Sequence, residues 1–156
     1  MCGLVGVVGK IGLKEEEAFK DMLAVDVVRG AHSTGIVAVD ARGFADWAKA
    51  AMLPHDFMQT RQFKQAFAGT HVLLMGHNRY ATKGAVNTAN AHPFETQHLT
   101  GMHNGTLINW YAALEEANKF DVDSECLLHT MDVRGLKDTF SGLNGAFAVT
   151  WHDSRD

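Results

Sequence analysis

The sequence predicts an α+β protein in which antiparallel sheets carry helices packed against them. The opening GLVGVV, residues 3–8, is short, branched and bounded by glycines, as buried strands are. IVAVD and FADWAKA, residues 36–40 and 44–50, flank a tight ARG turn in which Gly43 supplies a positive φ, so a hairpin follows directly on a helical segment. Strand and helix patterns then succeed one another without the regular alternation of a parallel βαβ sheet.

From Lys14 onward, Phe19, Met22 and Leu23 share one helical face, and Arg29 with Gly30 marks the stop. Pro54 suits the first turn of a second helix through HDFMQTRQFKQAF, residues 55–67. VLLMGHNR, residues 72–79, is the next strand. Residues 81–97 lack sustained periodicity and are expected as a long ordered loop, a length at which loops often carry function. LTGMH, residues 99–103, reads as a strand, and LINWYAALEEANK, residues 107–119, as an amphipathic helix. SECLLHTMD, residues 124–132, reads as another helix, VRGLKDTF as a further helical turn, and AFAVTW, residues 146–151, as a strand. HDSRD, residues 152–156, carries turn chemistry where a partner strand is the expected continuation, as in a compact variant or a chain cut within a sheet. No repeat, low-complexity tract or linker divides residues 1–156, which are expected as a single domain.

The 156 residues, 46% hydrophobic and 21% charged, fit one soluble globular domain whose core needs no disulfide staple. The formal net charge is -4, and the 14 Lys and Arg residues are dispersed without a basic run, which excludes nucleic acid as the expected partner. No stretch approaches the roughly 20 apolar residues of a spanning helix. The first residues also lack a signal-peptide pattern, so no membrane partner and a cytoplasmic location are expected. A reducing compartment keeps Cys2 and Cys126 as thiols. Cys126 lies on the apolar face of its segment and reads as core. The nine histidines repeat no ligand spacing and neither cysteine has a partner at zinc-site spacing, so no metal and no cofactor are expected.

Cys2 stands between a removable initiator and a glycine. Loss of Met1 would leave it a free α-amine with a pKa of about 7.7 to 8.0, a base beside its own nucleophile. Its simpler role is a small residue at a strand start. Arg79, at a strand end, offers a planar fork for a carboxylate, and Thr82 a hydroxyl three residues on; a surface ion pair and a turn hydroxyl are the plainer alternatives. In MHNGTL, Asn104 and the Gly105 N–H can converge on one oxyanion where the strand gives way to a helix; an Asn-Gly turn is the alternative. Asp123 or Ser124 can cap the following helix, or Asp123 can hold an ammonium group.

In this order MCGLVGVVG, RGAHSTG, GHNRYATKG with NAHPF, HNG, and DSE before an apolar helix resemble the glutaminase domain of class II glutamine amidotransferases, within the N-terminal-nucleophile hydrolase superfamily. The resemblance covers residues 2 to about 151. It implies a four-layer αββα sandwich, two antiparallel sheets face to face with helices outside. It also implies Cys2 as nucleophile with its own amine as base, and Asn104 with the Gly105 amide as oxyanion hole. Arg79 would clamp the α-carboxylate of L-glutamine, with Thr82 assisting, and Asp123 its α-ammonium. The implied reaction gives glutamate and ammonia through a γ-glutamyl thioester, the ammonia passing to a synthase domain or subunit. A binding or regulatory module without turnover, or an amidohydrolase of another amide, are the alternatives. The family's usual aspartate in RGAHSTG is His32 here, and glucosamine-type members carry histidine where Lys83 stands.

Overall fold

A computed structural model describes residues 2–156. Strands β1 (Gly3–Val8), β2 (Ser33–Val39), β3 (Ala45–Ala50) and β4 (Leu73–Arg79) form one antiparallel sheet in the order β1-β4-β2-β3. Strands β5 (Phe94–Glu95), β6 (Leu99–Leu107) and β7 (Gly145–Asp153) form a second, ordered β5-β6-β7. Every residue of β2 is buried. Successive side chains of a strand point to opposite faces, so such a strand must be covered on both sides.

On one face, Ile36 and Ala38 of β2 and Leu74 of β4 pack with Phe19 and Leu23 from helix α1 (Leu13–Val25). Phe57 from α2 (Pro54–Gln59) and Phe63 from α3 (Arg61–Ala66) complete that layer. On the other face, Val37, Val39 and Met75 meet Met102 of β6, which is the seam between the sheets. Leu99 and Leu107 of β6 turn away from the seam toward Leu127, Leu128 and Met131 of α5 (Asp123–Arg134). Helices α4 (Trp110–Ala113) and α6 (Leu136–Ser141) flank α5. The layers therefore run helix, sheet, sheet, helix, as expected. Among the described residues, no helix is long and apolar enough to cross a membrane.

Several elements depart from the sequence reading. The first helix ends at Val25, and Asp26–Arg29 tighten into a 3-10 turn that carries the chain to β2. The helix expected over residues 55–67 breaks at Thr60, whose backbone is extended and whose hydroxyl accepts the Phe63 N–H at 3.1 Å, capping α3. Within the long loop, Phe94 and Glu95 pair with Gly101 and Thr100. The strand expected to stop at His103 continues to Leu107, because β7 supplies partners along its whole length. Asn104 and Gly105 therefore lie within a strand rather than at a strand-to-helix junction. The helix expected over residues 107–119 shrinks to Trp110–Ala113 and a 3-10 turn, Ala117–Lys119, separated by Glu116 at a left-handed φ of 52°. Helix α5 starts at Asp123 with Val122 as its cap residue, so neither Asp123 nor Ser124 is the N-cap. His152 and Asp153 belong to β7, and only the residues after them turn.

Two glycines are fixed by geometry. A Cβ on Gly35 of β2 would lie 1.9 Å from the His92 carbonyl oxygen, so only glycine lets the 81–97 loop lie on the sheet. Gly105 has φ 135°, and a Cβ there would lie 2.2 Å from the Ala146 oxygen of the neighbouring strand. Gly35→Ala should therefore destabilise the chain by about 1–3 kcal/mol, as overpacked interiors do. Urea unfolding checks this, and an unchanged midpoint would contradict the close approach of His92.

Candidate active site

The site is built where the two sheets meet at one end. Cys2 immediately precedes β1, whose Gly3 pairs with Asn78, so the thiol arrives beside the end of β4. Its Sγ accepts the Tyr80 N–H at 3.2 Å and its S–H donates to the Tyr80 carbonyl at 3.3 Å. The Cys2 carbonyl accepts from Arg29 Nε at 3.0 Å and from Asn104 Nδ2 at 2.7 Å. Asn104 belongs to the other sheet, so this bond ties the sheets together at the thiol. Burial pushes the Cys2 thiol pKa up; the Tyr80 backbone hydrogen bond and the Arg79 charge oppose this without cancelling it. The thiol consequently needs a base to become a nucleophile at neutral pH. The expected removal of Met1 concerns a residue outside those described.

Cys2, Arg79, Thr82, Gly105 and Asp123 all line one cleft, and Asn104 reaches its edge through Cys2. All six residues singled out in the sequence thus converge. The cleft holds about 20 Å³, enough for about one water and too little for an amino acid. Its walls are drawn in by its own charges. Arg79, buried at the end of β4, donates from Nη1 to the Ala85 carbonyl at 3.0 Å and from Nη2 to the Lys83 carbonyl. Asp123 sits in the first turn of α5, where the helix dipole favours a carboxylate. Its Oδ2 accepts the Leu107 N–H at 3.4 Å and faces Lys83 Nζ at 4.0 Å.

The loop that closes the cleft is held from below by a residue the sequence reading missed. Lys49 of β3 donates from Nζ to the carbonyls of Ala89, Ala91 and Pro93 at 3.1, 2.8 and 3.0 Å. Burial lowers its pKa, which is opposed by the more distant charges of Glu125 and Glu95. The departure at His32 is also explained: its Nδ1 accepts the Ala81 N–H at 2.9 Å, a bond a carboxylate oxygen can also make, and its ring stacks on Tyr80.

Three buried histidines lie at the cleft, His92 and His103 in its wall and His77 behind them, and their sequence spacing gives no sign of this grouping. The His77 and His92 rings are 3.9 Å apart, and His103 Nδ1 lies 2.8 Å from Ser124 Oγ. His77 Nδ1, both nitrogens of His92 and His103 Nε2 have no hydrogen-bond partner among the described residues. Among the described residues, no group of three or more His, Cys, Asp or Glu side chains is placed to hold a metal ion.

This sandwich, with a cysteine at the junction of its sheets beside a carboxylate and a guanidinium, has the fold of the N-terminal-nucleophile amidotransferases. The glutamine phosphoribosylpyrophosphate amidotransferase of B. subtilis superposes with a TM-score of 0.74 at 22% identity, over 97% of this chain and 35% of that one. A structure described as the allosteric regulatory enzyme of purine biosynthesis gives 0.70 at 24% identity, over the same shares. By sequence, the chain is 29% identical to the glutamine–fructose-6-phosphate aminotransferase (isomerizing) of Bradyrhizobium diazoefficiens, over 96% of this chain and 26% of that protein. It is 30% identical to the enzyme of the same description from Caulobacter vibrioides, again over 96% of this chain and 26% of the relative. No family model matches the chain. Its homologues are class II glutamine amidotransferases, and the chain spans about a quarter of the length of the curated relatives it matches.

The buried histidines give this site a pH signature. Burial pushes the His77 pKa from 6.5 to about 3 and lowers that of His92 well below its ordinary value. In the unfolded chain these rings take up protons near 6.5, so below that pH the unfolded state binds more protons than the folded one. Stability is therefore full above about pH 6.5 and falls as the solution is acidified, by roughly 2 kcal/mol from His77 alone between pH 7 and 5. Urea unfolding at the two pH values measures it, and His77→Gln should flatten the slope by about one proton.

Proposed function

We propose that residues 1–156 act as a single domain that hydrolyses the side-chain amide of L-glutamine to glutamate and ammonia. The observation that carries this is the convergence, on one cleft, of a thiol, an amide donor, a guanidinium and a carboxylate from four separate parts of the chain. Glutamine has one charge of each sign at its α-carbon and an amide at its other end. Arg79 and Asp123, opposite in charge, fit the two ends of that zwitterion, with Thr82 beside the carboxylate. Fixing both charges places the amide carbon over Cys2 and removes the entropy of a random encounter.

In the proposed reaction the α-amine of Cys2, released by loss of Met1, takes the thiol proton through a water, and the sulfur attacks the amide carbon. The negative charge on the amide oxygen is met by Asn104 Nδ2–H and the Gly105 N–H. To serve in this way, Asn104 exchanges its bond to the Cys2 carbonyl for one to the substrate. The C–N bond then breaks, the departing nitrogen receives the proton from the amine, and ammonia leaves a γ-glutamyl thioester. Water, deprotonated by the same amine, adds to the thioester and restores the thiol. The sum is glutamine plus water to glutamate plus ammonia. A cleft this small must open to admit glutamine, and Arg79 must trade the Lys83 and Ala85 carbonyls for the substrate carboxylate. The ammonia would serve a synthase domain or subunit, and the two free thiols accord with a cytoplasmic setting.

The test separates the two cysteines. Cys126 is fully buried, its S–H donates to the Glu115 carbonyl at 3.3 Å, and burial raises its pKa to about 11. Cys2→Ala should abolish labelling by a glutamine-analogue electrophile and reduce glutamate release at least about 10³-fold. Cys126→Ala should preserve both, as read by intact mass and glutamate assay. Equal labelling of the two thiols, or an active preparation retaining Met1, would overturn the mechanism. Asp123→Ala should raise the glutamine KM roughly 10- to 100-fold, the size of a lost charge-assisted contact.

A further inference from the structure

We infer that Lys83 is the resident occupant of the ammonium subsite at Asp123, and that its displacement sets how strongly the chain prefers amides bearing an α-ammonium. The inference rests on the reading of Asp123 as the group that holds the ammonium of glutamine. Lys83 Nζ meets three features that suit a substrate ammonium. It faces Asp123 Oδ2 at 4.0 Å, donates to the Leu107 carbonyl at 3.4 Å, and lies 5.2 Å from the centre of the Trp110 ring. A carboxylate, a carbonyl and an aromatic face from α5, β6 and α4 thus surround one cation, supplied by the chain itself. The Lys83 carbonyl accepts from Arg79 Nη2, so the same residue also engages the guanidinium expected to take the carboxylate. Lys83 therefore touches both charged clamps of the cleft, one with its side chain and one with its backbone.

Two ammonium groups cannot share one nearly buried carboxylate without repulsion. Glutamine must expel Lys83 from Asp123, whereas an amide with the carboxylate but no α-ammonium can bind while the Lys83–Asp123 pair stays formed. The Lys83 side chain is about a third exposed, so solvent receives the expelled ammonium and the competition is mild rather than prohibitive. Lys83 thereby compresses the preference for glutamine over its des-amino analogue, 4-carbamoylbutanoate.

The experiment compares wild type, Lys83→Met and Lys83→Arg on the full chain with these two substrates. Lys83→Met should lower the glutamine KM about three- to fivefold, the value of one partly exposed ion pair, while the KM for 4-carbamoylbutanoate does not fall. Lys83→Arg, which keeps the competing charge, should retain the wild-type ratio. A rise in the glutamine KM of Lys83→Met, or an equal fall for both substrates, overturns the assignment. The glutamine concentration that half-protects Cys2 from iodoacetamide reads the same shift without turnover. A shift in protection without glutamate release defeats only the hydrolytic reading; glutamate release without a shift defeats only the role of Lys83; loss of both defeats both.

Discussion

The register of β1 on β4 is the constraint on which this site depends. Gly3 pairs with Asn78, and the next step along the two strands sets Cys2 against the end of β4, where Arg79 and Tyr80 lie. Because side chains alternate, the even-numbered Asn78 turns toward α1 and donates to the Leu23 carbonyl at 2.7 Å, while His77 turns to the seam and the His103 carbonyl. A slip of one residue would exchange these faces, sending the amide toward the cleft and the imidazole toward the helix layer. The Cys2 carbonyl is then fastened from both sides, by Arg29 of the turn before β2 and by Asn104 of the other sheet. The thiol is thus positioned by backbone pairing and by its own carbonyl, and among the described residues the sulfur has only backbone hydrogen-bond partners.

The same burial that fixes the position sets the electrostatics. Arg79, Lys83 and Lys49 bring three cations under or into the cleft, and Asp123 is the carboxylate that faces it. Burial above all, with the nearby positive charge of Arg79 adding to it, lowers the pKa values of the His77 and His92 rings. At the sulfur, burial raises the thiol pKa, the Tyr80 backbone hydrogen bond and the Arg79 charge draw it down, and the Asp123 charge adds to the rise. The thiol pKa stays raised, and among the described residues no side-chain base touches the sulfur.

Much of the site was legible because its signals are local. Arg79 at a strand end, Asn104 beside Gly105 and Asp123 ahead of an apolar helix each announce themselves within a few residues. The four-layer arrangement came from the resemblance, since no local pattern says which face of β2 meets which sheet. What local pattern misjudged was decided by distant partners. Asn-Gly reads as a turn until β7 arrives about forty residues later and pairs across it. Thr60 hides inside an unbroken helical periodicity, yet its hydroxyl stops one helix and starts the next. Lys49 looks like any strand lysine; its three carbonyl partners lie 40 to 44 residues away, and only the closeness permitted by Gly35 brings that loop onto the sheet.

Two different cations hold the two stretches of the loop that walls the cleft. Lys49 grips the far stretch of the loop through Ala89, Ala91 and Pro93, and Arg79 grips its near stretch through Lys83 and Ala85. The first set of bonds involves no group assigned to substrate, whereas the second uses the guanidinium proposed to take the substrate carboxylate. If Arg79 took a substrate carboxylate as proposed, the near stretch would be released while the far stretch stayed anchored on β3. Arg79 would keep charge-assisted bonds before and after such an exchange, which would cost less than opening a buried pair to nothing. On the proposed reading, substrate binding and cleft opening would share one set of donors.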